Sequence, residues 1–133
     1  MSRSALPADA DPRTAIDLAV RALADTFAAH EALLRVFVII GLRDERTSAT
    51  GRRASQEGGR LFRELLWPFR GSFAAGDPEH AVDVAHRLVY GTCLHRVLHG
   101  ASFESPTTMT WDELAGELSG VVALRLLTPP VDG

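Results

Sequence analysis

Large apolar residues recur three or four positions apart along the chain. Ile16, Val20, Leu23 and Phe27 fall at i, i+4, i+7 and i+11. Leu61, Phe62, Leu65, Leu66 and Phe69 make a second such face, and Leu114, Leu118, Val121, Val122 and Leu126 a third. That spacing repeats with the α-helix and not with the two-residue alternation of a half-buried strand. No segment alternates in strand fashion, so the chain is expected to be all-α, an antiparallel bundle of about five helices.

The punctuation between these runs agrees. Asp11-Pro12 and Asp77-Pro78-Glu79 each put a capping acid ahead of a first-turn proline. Thr110 and Glu113 stand at the spacing of a capping box, and Gly100 is a natural stop for the helix begun at Pro78. Pro68 lacks an amide proton and should end or bend the helix before it. Gly51, Gly58 and Gly59 weaken the front of that same helix, which is expected to be loose or kinked. Residues 30 to 42, HEALLRVFVIIGL, are apolar on nearly every side and are expected to be buried nearly all round, separated from the first helix by a bend near His30.

A length of 133 residues suits one domain with a real core, divided as a flexible segment 1–12, a helical domain 13–128 and a tail 129–133. The chain is 46% hydrophobic and 23% charged, unlike a disordered segment. Its net charge of -3 argues against a nucleic-acid surface spread over the domain. A single cysteine cannot close an internal disulfide, and MSRSALPADADP lacks the apolar core of a secretory signal. The longest strongly apolar run, Val36 to Ile40, is too short to span a bilayer. A cytoplasmic protein without membrane contact is therefore expected. All fourteen basic residues are arginine, a coding bias of GC-rich bacterial genomes.

The stretch VDVAHRLVYGTCLHRVLHG, residues 82–100, concentrates three histidines with Cys93. His95 and His99 stand one turn apart and could share a metal ion. On a helix, however, Cys93 lies about 200° and His86 about 180° from His95, so neither completes that site. A structural zinc needs four ligands and a catalytic one usually three, and no spacing supplies the remainder from His30 or His80. No metal, cofactor or catalytic residue is expected. His30-Glu31 begins like a zinc-protease helix but has Leu34 where the second histidine belongs. Cys93 lacks a base within a turn and reads as a buried structural thiol. Arg46, Arg53 and Arg60, with Arg52 and Arg63 beside them, form the one basic patch. It could receive an acidic ligand, but Glu57 and Glu64 among them favour a solvated, ion-paired face.

The same stretch is apolar on two sides. Val82, His86, Val89, Tyr90, Cys93 and Val97 share one face, and Val84, Leu88, His95 and His99 the other. Such a helix is central or pressed against a second chain.

Leu65-Leu-Trp-Pro68, Gly76-Asp-Pro-Glu-His-Ala-Val-Asp83, Arg87-Leu-Val-Tyr90, Arg96-Val-Leu-His-Gly100 and Trp111-Asp-Glu-Leu-Ala-Gly-Glu-Leu118 resemble the C-terminal regulatory domain of TetR/AcrR-type transcriptional regulators. The resemblance covers nearly the whole chain, from the helix at 13 to the end of the last one. It implies a ligand-sensing domain that dimerises through its last two helices, with a small apolar or aromatic effector bound among the preceding ones. Mapped onto this sequence, the dimer interface is expected at Leu88, His95, His99, Leu114, Leu118, Val122 and Leu126, so that Leu118→Arg would split the dimer. The ligand pocket is expected at Phe27, Phe37, Leu61, Leu65, His86, Tyr90 and Cys93. The helix-turn-helix domain with which such regulators bind DNA has no room before residue 13. DNA contact is expected only through such a domain, absent from this chain. Two other readings stay open: a small helical metalloprotein or enzyme using His95 and His99, and an interaction bundle without a pocket.

Overall fold

A computed structural model describes residues 10–129, and the expectations for residues 1–9 and 130–133 lie outside it. Five α-helices make an all-α bundle with no strand among the described residues. They are α1 (Pro12–Ala29), α2 (Glu31–Gly41), α3 (Glu45–Leu66), α4 (Pro78–His99) and α5 (Trp111–Leu127).

The helix starts follow local chemistry. Asp11 Oδ1 accepts the Thr14 amide proton at 2.7 Å, and Asp77 Oδ1 accepts that of His80 at 3.1 Å. Thr110 and Glu113 exchange both bonds of the capping box. α4 stops at Gly100, whose φ of 87° belongs to the region open to glycine. Ahead of Pro68 the α-geometry of α3 gives way at Leu66 to a 3-10 turn, Trp67–Ser72.

α1 runs through the middle of the bundle, burying Ala15, Ile16, Ala19, Val20, Ala24 and Phe27 against α3, α4 and α5. It is antiparallel to α5: Arg13 Nη1 donates to Ser119 Oγ at 2.6 Å, and Arg21 Nη1 to Asp112 Oδ1 at 2.8 Å. The first of these satisfies the one buried polar side chain of the core among the described residues. α3 and α4 are also antiparallel, since Ser55 meets Tyr90, Gly59 meets His86 and Arg63 meets Glu79.

Three expectations change. α3 is one continuous helix from Glu45 and is not broken at its glycines. Two of those glycines permit close approaches: a Cβ on Gly51 would lie 3.2 Å from the Phe37 ring, and one on Gly59 only 3.0 Å from His86 Nε2. The packing they allow offsets their roughly 1 kcal/mol helix penalty.

The second change concerns α2, which has no buried residue. It rests on α3 through Phe37 and is tied to α4 by Arg35 Nε, which donates to the Val97 carbonyl at 2.8 Å. Its opposite face is open to solvent: Leu33 is 68% exposed, and Val36, Ile39 and Ile40 about half. Among the described residues no further layer covers it.

The third change is the register of α5. Leu118, Val122 and Leu126, expected on a partner-facing surface, are buried in this chain's own core beside Ala115 and Ala123. α1 takes that face, so the outward residues are instead Glu117, Val121 and Leu124.

Candidate functional site

α3 and α4 diverge just enough to leave a groove of about 860 Å³ along their seam. α4 contributes Asp77, Glu79, His80, Val82, Asp83, His86, Arg87 and Tyr90. α3 contributes Arg52, Ser55, Gln56, Gly59, Arg60 and Arg63, which stand on one helical face at i, i+3, i+4, i+7, i+8 and i+11.

Of the seven expected pocket residues, His86 and Tyr90 line this groove. Phe27 and Cys93 are sealed in the core, Phe27 with its ring edge-on to Tyr90 at 5.3 Å. Phe37 covers Gly51 away from the groove, Leu65 packs against the core, and Leu61 points outward. The pocket is thus displaced toward the solvent side of α3 and is more polar than an apolar effector site. An inward-looking projection misses Ser55, Gln56 and Gly59, and it places Arg52 only in a basic patch. Their common face becomes visible once α3 is taken as a single helix across its glycines.

The groove is floored by aromatic groups. The His86 ring lies 5.4 Å from that of Phe62 and 5.9 Å from that of Tyr90. Tyr90 and Ser55 share one hydrogen bond between their hydroxyls at 2.6 Å. His86 Nδ1 is shielded from solvent and has no hydrogen-bond partner. Such an orphaned atom costs about 1–3 kcal/mol unless something satisfies it.

Burial holds the His86 imidazole below its ordinary range; the charge of Asp83 opposes that shift and Arg87 reinforces it. His86 is therefore neutral at neutral pH. As pH falls, the unfolded chain takes up the proton first, so its contribution to stability is fully present above the ordinary imidazole pKa of 6.5 and is lost as pH drops through the folded value. Denaturant unfolding between about pH 7.5 and 5.5 should show a loss of stability that His86→Leu makes smaller. Equal losses in the two proteins would remove His86 as its source.

Cys93 is fully buried, and burial pushes its thiol up to about 11. It stays protonated at neutral pH and is a poor nucleophile.

The His95 and His99 rings lie 4.7 Å apart, tilted by 42°, on the opposite side of α4 beside the loop that leads to α5. His99 stacks on Phe103 at 4.3 Å, and His95 Nε2 lies 2.6 Å from Glu104 Oε2. Among the described residues no three histidine, cysteine or acidic side chains come together as a metal ligand set. The pair instead pins the loop to α4, helped by Arg96, which donates to the Met109 carbonyl at 2.7 Å and lies over the Trp111 ring at 5.0 Å.

Of the residues expected at a dimer interface, Leu88 and His99 are exposed and His95 and Leu114 half-buried. His95 and Leu114 border Gly91 and Thr92, and on α5 Val121 and Leu124 are also exposed. Neither Gly91 nor Gly120 has an atom within 4 Å of the position a Cβ would take. No helix among the described residues is long and apolar enough to cross a membrane. Comparison of the chain with protein-family models finds no match, and comparisons with curated proteins and with solved structures find none.

Proposed function

We propose that the chain is the effector-sensing and dimerisation domain of a TetR-like transcriptional regulator, acting on DNA through a separate helix-turn-helix domain. The observation that carries the reading is the position of α4. One edge of this helix walls the groove with His86 and Tyr90, and its far side presents Leu88, Gly91 and Thr92 outward, as α5 does Val121 and Leu124. A ligand that favours one setting of α4 in the groove changes the free energy of whatever packs on the other side. Bare glycine backbone at 91 and 120 lets a partner's helices approach closely, as a four-helix interface requires. The resemblance in the Trp-Pro, Asp-Pro-Glu and Trp-Asp-Glu-Leu punctuation supports the same assignment.

A thermal-shift screen tests the sensing half. Small molecules should raise the melting temperature, as ligands of the native state do, and the gain should shrink in His86→Leu. A broad screen without one stabilising compound would contradict it. The open face of α2 favours a second reading, a protein-interaction bundle with no ligand, because contiguous apolar surface of this kind marks contact sites. Under that reading the screen stays empty, and Val36→Asp abolishes association with a partner.

A further inference from the structure

Charge is distributed unevenly along the α3/α4 groove. All three acids that line it, the N-cap Asp77 with Glu79 and Asp83, lie at the N-terminal end of α4. Because the helices are antiparallel, the other end is built from Arg52, Ser55 and Gln56 of α3 and Tyr90 of α4, with no acid among the lining residues.

Three of the four lining arginines are already matched. Arg60 is held by Glu57 and Glu64, Arg63 by Glu79 at 3.4 Å, and Arg87 by Asp83 at 2.9 Å. Among the described residues Arg52 meets only Glu45, at 3.8 Å and with both side chains more than half exposed, a geometry that holds a guanidinium weakly. Beside it, the Ser55 and Tyr90 hydroxyls carry two protons and use one in their mutual bond. The second proton is left to donate. A guanidinium with a free hydroxyl proton one helical turn away is a receptor for a carboxylate, which accepts charge-assisted bonds from both.

From Arg52 to Gly59 is seven residues, about 10 Å along α3. At that distance the wall is the His86 imidazole, which makes no hydrogen bond among the described residues and is kept uncharged by burial. A neutral flat ring there suits stacking on another ring. Beyond it the acids begin, so a second carboxylate on the same ligand would meet Asp83 and Glu79.

We propose, building on the effector reading above, that the groove takes an aromatic monocarboxylate, its carboxylate on Arg52, Ser55 and Tyr90 and its ring against His86. This narrows the expected small apolar or aromatic effector to an aromatic one that carries a single carboxylate.

Isothermal titration of the full chain with 2-naphthoate, its neutral isostere 2-naphthamide and 2,6-naphthalenedicarboxylate tests the class. Saturable binding of 2-naphthoate is expected, with the amide and the diacid at least tenfold weaker. Arg52→Gln should weaken 2-naphthoate at least tenfold, whereas Arg46→Gln, on the same helix but outside the groove, should leave it unchanged. Binding of the amide as tightly as the acid, or undiminished binding of the acid to Arg52→Gln, overturns the carboxylate assignment and leaves the effector reading standing. No saturable binding of 2-naphthoate also overturns it. The effector reading itself fails only if the broad thermal-shift screen is empty too.

Discussion

Leu126→Ala is expected to lower the free energy of unfolding by about 2–5 kcal/mol, the cost of emptying a leucine-sized space in a closed core. Leu126 is 0% exposed, and its carbonyl accepts the Ala74 amide proton at 2.8 Å, so backbone bonding on that side holds α5 in place and limits collapse into the cavity. The contrasting change is Leu42→Ala, at a leucine 82% exposed at the end of α2, expected to shift stability by no more than about 0.5 kcal/mol. Denaturant unfolding of the two variants checks the pair. A cost below about 1 kcal/mol for Leu126→Ala would return that side chain to the surface, where a projection of the sequence first puts it.

The second large effect concerns association. Leu124 is 65% exposed on the outer face of α5, about one turn from Val121, which is also exposed. Leu124→Arg should therefore convert a dimer to a monomer while leaving helix content and single-chain stability close to those of the parent, because a charge at this position stays solvated until a partner arrives. Leu118→Arg behaves differently. Leu118 is 8% exposed, and an arginine there buries an uncompensated charge in the chain's own core, so the fold is lost along with the dimer. Sedimentation velocity and circular dichroism of the two variants separate the outcomes. A Leu124→Arg protein that remains dimeric would move the interface elsewhere on the surface.

The features that sequence discloses here are those with local causes. Asp11 and Asp77 cap their helices, Thr110 and Glu113 close a capping box, and Gly100 turns the chain, each through bonds within three or four residues. Helix number and order followed from them. Which face of a helix lies inside is a property of its neighbours, and it is hidden where all faces are alike. α5 carries Leu114, Leu118, Val121, Val122, Leu124 and Leu126, so apolarity alone gives no preferred side. Small residues decide it instead: Ala115, Ser119 and Ala123 mark the side where α1 comes closest.

α2 misleads for the complementary reason. VFVII reads as interior, yet hydrophobicity specifies only that a surface is better covered, not that the same chain covers it. The groove is a third case. The arginines of α3 read as a solvated, ion-paired face, and for Arg60 the pairing with Glu57 and Glu64 is as described. Arg63 is paired as well, but with Glu79 of α4, sixteen residues away, and Arg52 lines the groove with only a long, exposed contact to Glu45.

The central claim, a domain that pairs through α4 and α5 with its sensing groove on the other side of α4, is tested most directly by light scattering of the purified full chain at micromolar concentration. It predicts twice the chain mass for the parent and a single chain mass for Leu124→Arg. A parent protein that scatters as a clean monomer would contradict it.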